Sequence, residues 1–147
     1  MARVLIVPCG CRGRALAADL VEDGHAVRGT TRDPGRAARI AAAGAEPYVG
    51  DPDRIATLMD ALRGVTVVCW LLGTVPVPEL HGGRLRMLFE KLVDTPVRGV
   101  VYEAALPEGE AIARDAAERW RIPVEILAPE GDARAAVGRL LGGVRTT

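Results

Sequence analysis

Short apolar stretches alternate along the chain with segments of helical spacing, and this alternation predicts the secondary structure. Six stretches have the length and position of strands, and the first is the continuous apolar run that is typical of a strand buried on both faces in a parallel sheet. They are residues 4–7, 26–30, 46–49, 65–72, 99–103 and 124–127. The stretch 65–72 is the most apolar and β-branched of the six, so we expect it at the centre of the sheet.

A helical segment follows each predicted strand. Apolar side chains of the third and fourth segments recur at i, i+3, i+4 and i+7, which places them on one helical face. They are Ile55, Leu58, Met59 and Leu62 in the third segment, and Leu85, Leu88, Phe89 and Leu92 in the fourth, which begins near His81. The Asp-Pro pairs at 33–34 and 51–52 are typical helix starts, and the glycines at 24, 44 and 64 are typical helix ends.

Six alternations of strand and helix with short connections predict the fold class. We expect an α/β protein with a three-layer, doubly wound parallel sheet in the strand order 3-2-1-4-5-6. A length of 147 residues fits a single domain over residues 1–147, with frayed residues at 142–147.

Composition and charge exclude several classes of function. Lysine and arginine number 19, as do aspartate and glutamate, so a general affinity for nucleic acid or anionic membrane is not expected. The chain has no serine, which excludes a serine nucleophile, and its longest apolar stretch is far too short to span a bilayer. Three cysteines cannot all pair, which favours a reducing compartment and a soluble, cytoplasmic protein.

The turn after the first strand carries the main candidate chemistry. Gly10 and Gly13 have the spacing of the last two glycines in a dinucleotide-binding turn, where one glycine lets a pyrophosphate approach and the next lets the helix pack closely. The first glycine of that pattern is replaced by Pro8 or Val7, depending on the alignment. Two interpretations stay open, a phosphate-binding turn assisted by Arg12 and a tight turn without a ligand.

The residues that end the second strand bear on the choice of cofactor. NAD sites usually place an acidic side chain there, whereas an arginine accommodates the 2'-phosphate of NADP. Thr30, Thr31 and Arg32 occupy these positions, and Asp33 is better explained as a helix cap. The pattern therefore favours NADP over NAD, the alternative being that Arg32 is only an exposed surface residue.

Several motifs together resemble the short-chain dehydrogenase/reductases of the extended and atypical type, and the NmrA-like branch most closely. They are Gly10-x-x-Gly13, residues 23–28, residues 31–34, Gly50-Asp51, residues 63–65 and Leu72-Gly73, with weaker likeness at residues 100–102 and 116–127. The resemblance covers nearly the whole chain and implies a Rossmann fold that binds NAD(P).

The resemblance also implies a set of cofactor-binding residues. It implies that Gly10, Arg12 and Gly13 hold the pyrophosphate, with Cys11 in the same turn and Thr31 and Arg32 at the second strand. It further implies that Asp51 faces the adenine and that Leu72 and Gly73 border the ribose.

The catalytic pair of that family has no counterpart here. A tyrosine of that family is made acidic by a lysine four residues later, because an unperturbed phenol has a pKa of about 10. Tyr48 is followed at that spacing by Pro52, and Tyr102 by Leu106. We therefore expect a dinucleotide-binding protein that is a noncatalytic sensor or regulatory module. Two alternatives stay open, a reductase that uses His81, Glu103 or Tyr102, and a degenerate scaffold that binds a partner.

Two further features lead to expectations about metals and assembly. Cys9 and Cys11 flank the glycine turn and Cys69 lies on the neighbouring strand, but small buried cysteines are the favoured interpretation and no metal site is predicted.

The fourth and fifth predicted helices carry Met87 and Trp120 beyond the apolar stripe, and the resemblance implies a homodimer through these helices.

Overall fold

A computed structural model describes residues 2–142 and contains one six-stranded parallel sheet. The strands are β1 (Arg3–Val7), β2 (Ala26–Thr31), β3 (Glu46–Val49), β4 (Val67–Trp70), β5 (Gly99–Glu103) and β6 (Val124–Leu127). Their order is β3-β2-β1-β4-β5-β6, which confirms the predicted fold class and strand order. The expected fraying at 142–147 lies almost wholly outside the described residues.

Helices cover both faces of the sheet. They are α1 (Cys11–Glu22), α2 (Ala37–Ala42), α3 (Gly83–Leu92), α4 (Pro107–Trp120) and α5 (Ala133–Gly142). Alternate residues of β1 enter two separate cores, with Val4 and Ile6 on the side of α1, α2 and α5, and Leu5 and Val7 on the side of α3 and α4. Burial of β1 on both faces explains why this strand is a continuous apolar run in the sequence.

The third predicted helix is wrong as an α-helix. Residues Ile55–Leu58 and Asp60–Leu62 form two 3₁₀ turns instead, although the apolar residues of this segment are largely buried as expected. The hydroxyl of Thr57 donates a hydrogen bond to the carbonyl of Arg54 at 2.6 Å, which competes with regular helical bonding. The buried guanidinium of Arg28 also donates to the carbonyls of Ala61 and Arg63.

Helix starts differ from the predictions in two other places. Asp33 is a cap, since its Oδ1 accepts from the amide of Gly35 at 2.9 Å, but the first turn that it caps is a 3₁₀ turn. The fourth predicted helix begins at Gly83 as α3, because Pro78–His81 forms a separate 3₁₀ turn. Pro78 starts this turn, where the missing amide proton does no harm.

The loop that follows β4 is fixed to the sheet by buried side chains. The Nε1 atom of Trp70 donates to the carbonyl of Leu80 at 3.1 Å. His81 is fully buried at the end of the 3₁₀ turn, two residues before α3 begins. Its Nε2 faces the carbonyls of Leu72 and Val75 at 2.9 and 3.0 Å, and its Nδ1 contacts the hydroxyl of Tyr102. The loop therefore forms a stable wall above the ends of the strands.

Candidate functional site

A cleft of about 910 Å³ lies at the carboxyl ends of β1, β2 and β3 and below the loop that follows β4. In doubly wound sheets this is the side where ligands bind, at the point between β1 and β4 where the strand order reverses. Residues of the glycine turn, of the ends of β2 and β3, of the β4 loop and of α3 surround it. The lining includes Pro8, Gly10, Thr30, Thr31, Arg32, Arg36, Asp51, Asp53, Leu72, Val75, Leu80 and Arg84.

The two glycines of the turn have different structural roles. Gly10 lines the cleft as the N-cap of α1, and a Cβ added there would meet open space. A Cβ on Gly13 would lie 2.9 Å from the carbonyl oxygen of Pro8 and 3.1 Å from Ile6. Gly13 therefore permits the close packing of α1 on β1, and Gly10 leaves the helix N-terminus open to a ligand.

The end of β2 presents hydroxyl and guanidinium groups to the cleft. Thr30 is fully buried, and its Oγ1 has no hydrogen-bond partner among the described residues. The hydroxyl of Thr31 accepts from the amide of Asp33 at 3.1 Å, which shapes the turn that carries Arg32. The carboxylate of Asp33 caps the next turn and lies 3.7 Å from Arg36. Arg32 itself is exposed, with no ion pair among those described.

The opposite wall contains an ion pair that the sequence did not reveal. Asp51 accepts from the amide of Asp53 at 2.9 Å, and this turn presents the carboxylate of Asp53 to Arg84 at 3.2 Å. Arg84 belongs to α3, so the contact joins the β3 loop to the helix that follows β4. Residues 31 positions apart show no pattern in the sequence that would predict their pairing.

Glu103 is the most buried carboxylate near the site, and its described partners come from the first turn of α1 and from the loops after β4 and β6. Two guanidinium nitrogens of Arg12 contact its two oxygens, one of them at 2.8 Å. The amide of Gly73 donates to Oε1 at 2.8 Å and that of Glu130 to Oε2 at 2.7 Å. Burial opposes ionisation, but the bonds from Arg12 and the two amides outweigh it and lower the pKa of Glu103.

This geometry changes the interpretation of Arg12, Glu103 and Gly73. Glu103 is neither a hydrated carboxylate at a strand end nor a free general base, since it is a buried, ion-paired group. A Cβ on Gly73 would overlap the side chain of Glu103, so Gly73 makes room for this carboxylate. The guanidinium of Arg12 faces Glu103 rather than the cleft.

The nine predicted cofactor-binding residues fall into two groups. Five line the cleft, namely Gly10, Thr31, Arg32, Asp51 and Leu72. Four are absent from its lining, namely Cys11, Arg12, Gly13 and Gly73. Arg36, Asp53 and Arg84 also line the cleft, although they were not among the predicted residues. Of these three residues, only Arg36 could have been predicted from nearby sequence, because it is a cation in the turn that follows the Asp33 cap.

Burial favours the protonated forms of the Tyr102 phenol and of two cysteine thiols near the site. Burial, and to a lesser extent the charge of Glu110, raises the pKa of Tyr102 well above its usual value. Burial raises the pKa of Cys9 to about 11 and that of Cys69 to about 12, while Cys11 is exposed. No group of three potential metal ligands occurs within residues 2–142.

Comparison with known protein families identifies the class. The profile of an NAD(P)H-binding family matches residues 10–119, from the glycine turn through nearly all of α4. The chain therefore belongs to this NAD(P)H-binding family of Rossmann-like proteins. No curated protein matched the chain in the sequence comparison.

Solved structures of reductases share the fold. Vestitone reductase from alfalfa superposes with a TM-score of 0.69 at 14% identity, over 87% of this chain and 56% of that one. Citrobacter sp. triphenylmethane reductase complexed with NADP(H) gives 0.65 at 17% identity, over 85% and 48%. A short-chain dehydrogenase/reductase superfamily protein from Agrobacterium tumefaciens with bound NAD gives 0.51 at 25% identity, over 69% and 31%.

The comparison also shows a difference in length. The chain spans about half the length of the triphenylmethane reductase that it resembles in fold. Within the described part of the chain, no helix is long and apolar enough to cross a membrane.

Proposed function

We propose that this chain acts as a single NAD(P)-binding domain that senses or regulates through the bound dinucleotide without turning it over, like the NmrA-like proteins it resembles. The observation that carries the proposal is the cleft at the reversal of strand order, into which Gly10, Thr31, Arg32 and Asp51 face. The unpartnered hydroxyl of Thr30 supports it, because a buried polar atom of this kind favours a ligand that hydrogen-bonds to it.

The absence of turnover is supported by what the candidate catalytic groups already contact. The hydroxyl of Tyr102 meets His81 inside the core, on the side of the sheet that packs against α3 and α4. His81 is held by two backbone carbonyls, and Glu103 by Arg12 and two amides. Each of the three groups would have to leave a buried partner before it could act on a substrate.

The preferred dinucleotide is NADP. Arg32 and Arg36 line the end of the cleft at β2, and the nearest carboxylate, Asp33, is engaged in capping. Two guanidinium groups favour the 2'-phosphate over a free ribose hydroxyl. Thr31 and Arg32 would contact this phosphate, Gly10 the pyrophosphate, Asp51 the adenine and Leu72 the adjoining ribose.

Location and assembly complete the proposal. Three free thiols, two of them buried, suit the reducing cytoplasm. The protein would form a homodimer through α3 and α4, which correspond to the fourth and fifth predicted helices. Met87 is 37% exposed on α3, and Trp120 borders a groove between the two helices.

Calorimetric titration with NADPH and NADH, followed by a test of NADPH oxidation with a panel of carbonyl compounds, examines the proposal. We expect saturable binding of both dinucleotides, tighter binding of NADPH, and no oxidation above the rate without protein. No binding of either dinucleotide would overturn the proposal in favour of a scaffold that binds another partner.

A second candidate function is an NADPH-dependent reductase. It is favoured by the names of two solved structures of similar fold, both of which are reductases. Such a reductase would need a substrate site at the loop 73–78 and a proton donor other than the three groups above. Carbonyl-dependent oxidation of NADPH would favour this candidate.

A further inference from the structure

The two halves of the sheet offer different surfaces to a dinucleotide. In this fold a dinucleotide lies across the reversal point, with one nucleotide over each half of the sheet. The large cleft opens over the half made of β1, β2 and β3 and below the loop that follows β4, whereas a smaller cavity of about 230 Å³ borders Arg12 and Glu103 on the other half. Over the other half, the ends of β4, β5 and β6 are joined to one another and to α1 by the contacts of Glu103.

The contacts of Glu103 hold the ends of β4, β5 and β6 against α1 in that second half. We call this set of contacts, with Arg12, Gly73 and Glu130, the closure. Arg12 reaches from the N-terminus of α1, Gly73 follows β4, and Glu130 follows β6, while Glu103 ends β5. Glu130 also adopts a left-handed conformation with φ of 62°, which is unfavourable for a residue with a side chain. The loop after β6 is thus held in a strained shape that directs its amide to Glu103.

Opening this closure is unfavourable. A ligand group that entered between α1 and β5 would separate Arg12 from Glu103, whose carboxylate is only 1% exposed. A buried carboxylate left without its cation is strongly destabilised. The cleft over the first half needs no such change, because Thr30 has an unpartnered hydroxyl and Arg32 is exposed.

From this contrast we infer that the protein recognises the phosphorylated adenosine half of NADP and makes little contact with the nicotinamide riboside. Adenine nucleotides that lack nicotinamide are therefore ligands of the same cleft. This inference rests on the proposed function. The ligand class is 2'-phosphorylated adenine nucleotides. The inference also explains why a dinucleotide-binding fold would not catalyse hydride transfer, since the protein would not position the nicotinamide ring.

Calorimetry with three probes on the unmodified chain tests the inference. The probes are NADPH, 2'-phosphoadenosine 5'-diphosphate and nicotinamide mononucleotide. We expect the adenine nucleotide to bind within about tenfold of NADPH, and nicotinamide mononucleotide not to bind. An adenine nucleotide more than about tenfold weaker than NADPH, or saturable binding of nicotinamide mononucleotide, would overturn the inference and leave the proposed function intact. If NADPH itself does not bind, both fail.

The variant Glu103→Gln tests the closure itself. It keeps the shape of the side chain but removes the charge that holds Arg12, so opening the second half becomes easier. We expect the ratio of NADPH affinity to 2'-phosphoadenosine 5'-diphosphate affinity to rise by about fivefold or more. Glu118→Gln, an exposed change on α4, is the matched control and should leave the ratio unchanged.

A second variant covers the case in which Glu103→Gln does not fold. Arg12→Lys keeps the charge but cannot make the two-nitrogen contact with the carboxylate, and Arg12 is the more exposed partner. The affinity ratio should rise here too. An unchanged ratio in a folded variant at either position would contradict the closure.

Discussion

The carboxylate of Glu103 joins the first turn of α1 and two loops to the end of β5, and its loss should weaken the fold. Glu103→Gln removes a buried charge from contact with Arg12 and two amides. Hydrogen bonds to charged groups contribute roughly 1.5 to 3 kcal/mol each, so we expect the free energy of unfolding to fall by about 2 kcal/mol. Urea denaturation measures this change. The exposed Glu118→Gln should stay within about 0.5 kcal/mol of the unmodified chain.

The same residue predicts a dependence of stability on pH. A carboxylate whose pKa is lowered on folding stabilises the folded state above its unfolded pKa of about 4.3. That stabilisation is lost as the pH falls through the lower, folded pKa. The difference in unfolding free energy between the unmodified chain and Glu103→Gln should therefore shrink below about pH 4. A difference that stays constant from pH 7 to pH 3 would show that ionisation of Glu103 does not stabilise the fold.

Arg32 is the side chain on which the preference for NADP depends most. A charge-assisted contact to the 2'-phosphate is worth roughly 1.5 to 3 kcal/mol, so Arg32→Ala should weaken NADPH binding by about ten- to a hundredfold. NADH binding should change little, because NADH lacks that phosphate. Titrations of both dinucleotides measure the effect, with Arg39→Ala on α2 as the control. Equal losses of affinity for NADPH and NADH would mean that Arg32 does not contact the 2'-phosphate.

Residue pairs that meet only in the folded chain were the hardest part of the site to predict. Gly10, Arg32 and Asp51 belong to local motifs, and all three line the cleft. The partner of Arg12 is 91 positions away, and nothing local distinguishes Glu103 from a carboxylate in water. The partners of Glu103 come together through the parallel register of β4, β5 and β6. That register depends on tertiary packing.

At the scale of elements, the turn between β1 and α1 allows packing and ligand access to be tested separately. Gly13→Ala would place a Cβ 2.9 Å from the carbonyl oxygen of Pro8, so we expect a loss of stability of about 1 to 3 kcal/mol. Gly10→Ala meets open space at a φ of −84° and should fold normally. Its added methyl group would obstruct the approach of a pyrophosphate, so NADPH binding should weaken at least tenfold.

These two glycine variants control for each other. Thermal unfolding measures the stability of each one, and calorimetry with NADPH measures binding. A Gly10→Ala protein that binds NADPH as tightly as the unmodified chain would show that no phosphate approaches this backbone.

Strands were predicted more accurately than helices, for a physical reason. The ranges of β3, β5 and β6 match the prediction. β5 is buried along its whole length, whereas the edge strands β3 and β6 are only partly buried and are marked in the sequence by flanking glycine or proline residues. The segment 51–64 was predicted as an α-helix because spacings of three and four residues fit both an α-helix and successive 3₁₀ turns. The guanidinium of Arg28, on β2, donates to two carbonyls of this segment and favours the turns. The sequence of the segment itself gives no indication of these contacts.

For the whole molecule, the proposed dimer makes a separate prediction. Met87 is exposed on α3, and the groove between α3 and α4 ends at Trp120. Met87→Glu would place a charge at the proposed twofold contact and should yield monomers of unchanged thermal stability. Light scattering at tens of micromolar measures the mass. A monomeric mass for the unmodified chain would exclude the homodimer at that concentration.

The cleft as a dinucleotide site is tested most directly by amide chemical shifts recorded during a titration with NADPH. The predicted result is a saturable set of shifts at Gly10, Thr31, Arg32 and Asp51, the residues that line the cleft at the ends of β1, β2 and β3. Unchanged spectra at millimolar NADPH, or shifts confined to the groove between α3 and α4, would contradict the assignment of this cleft as the nucleotide site.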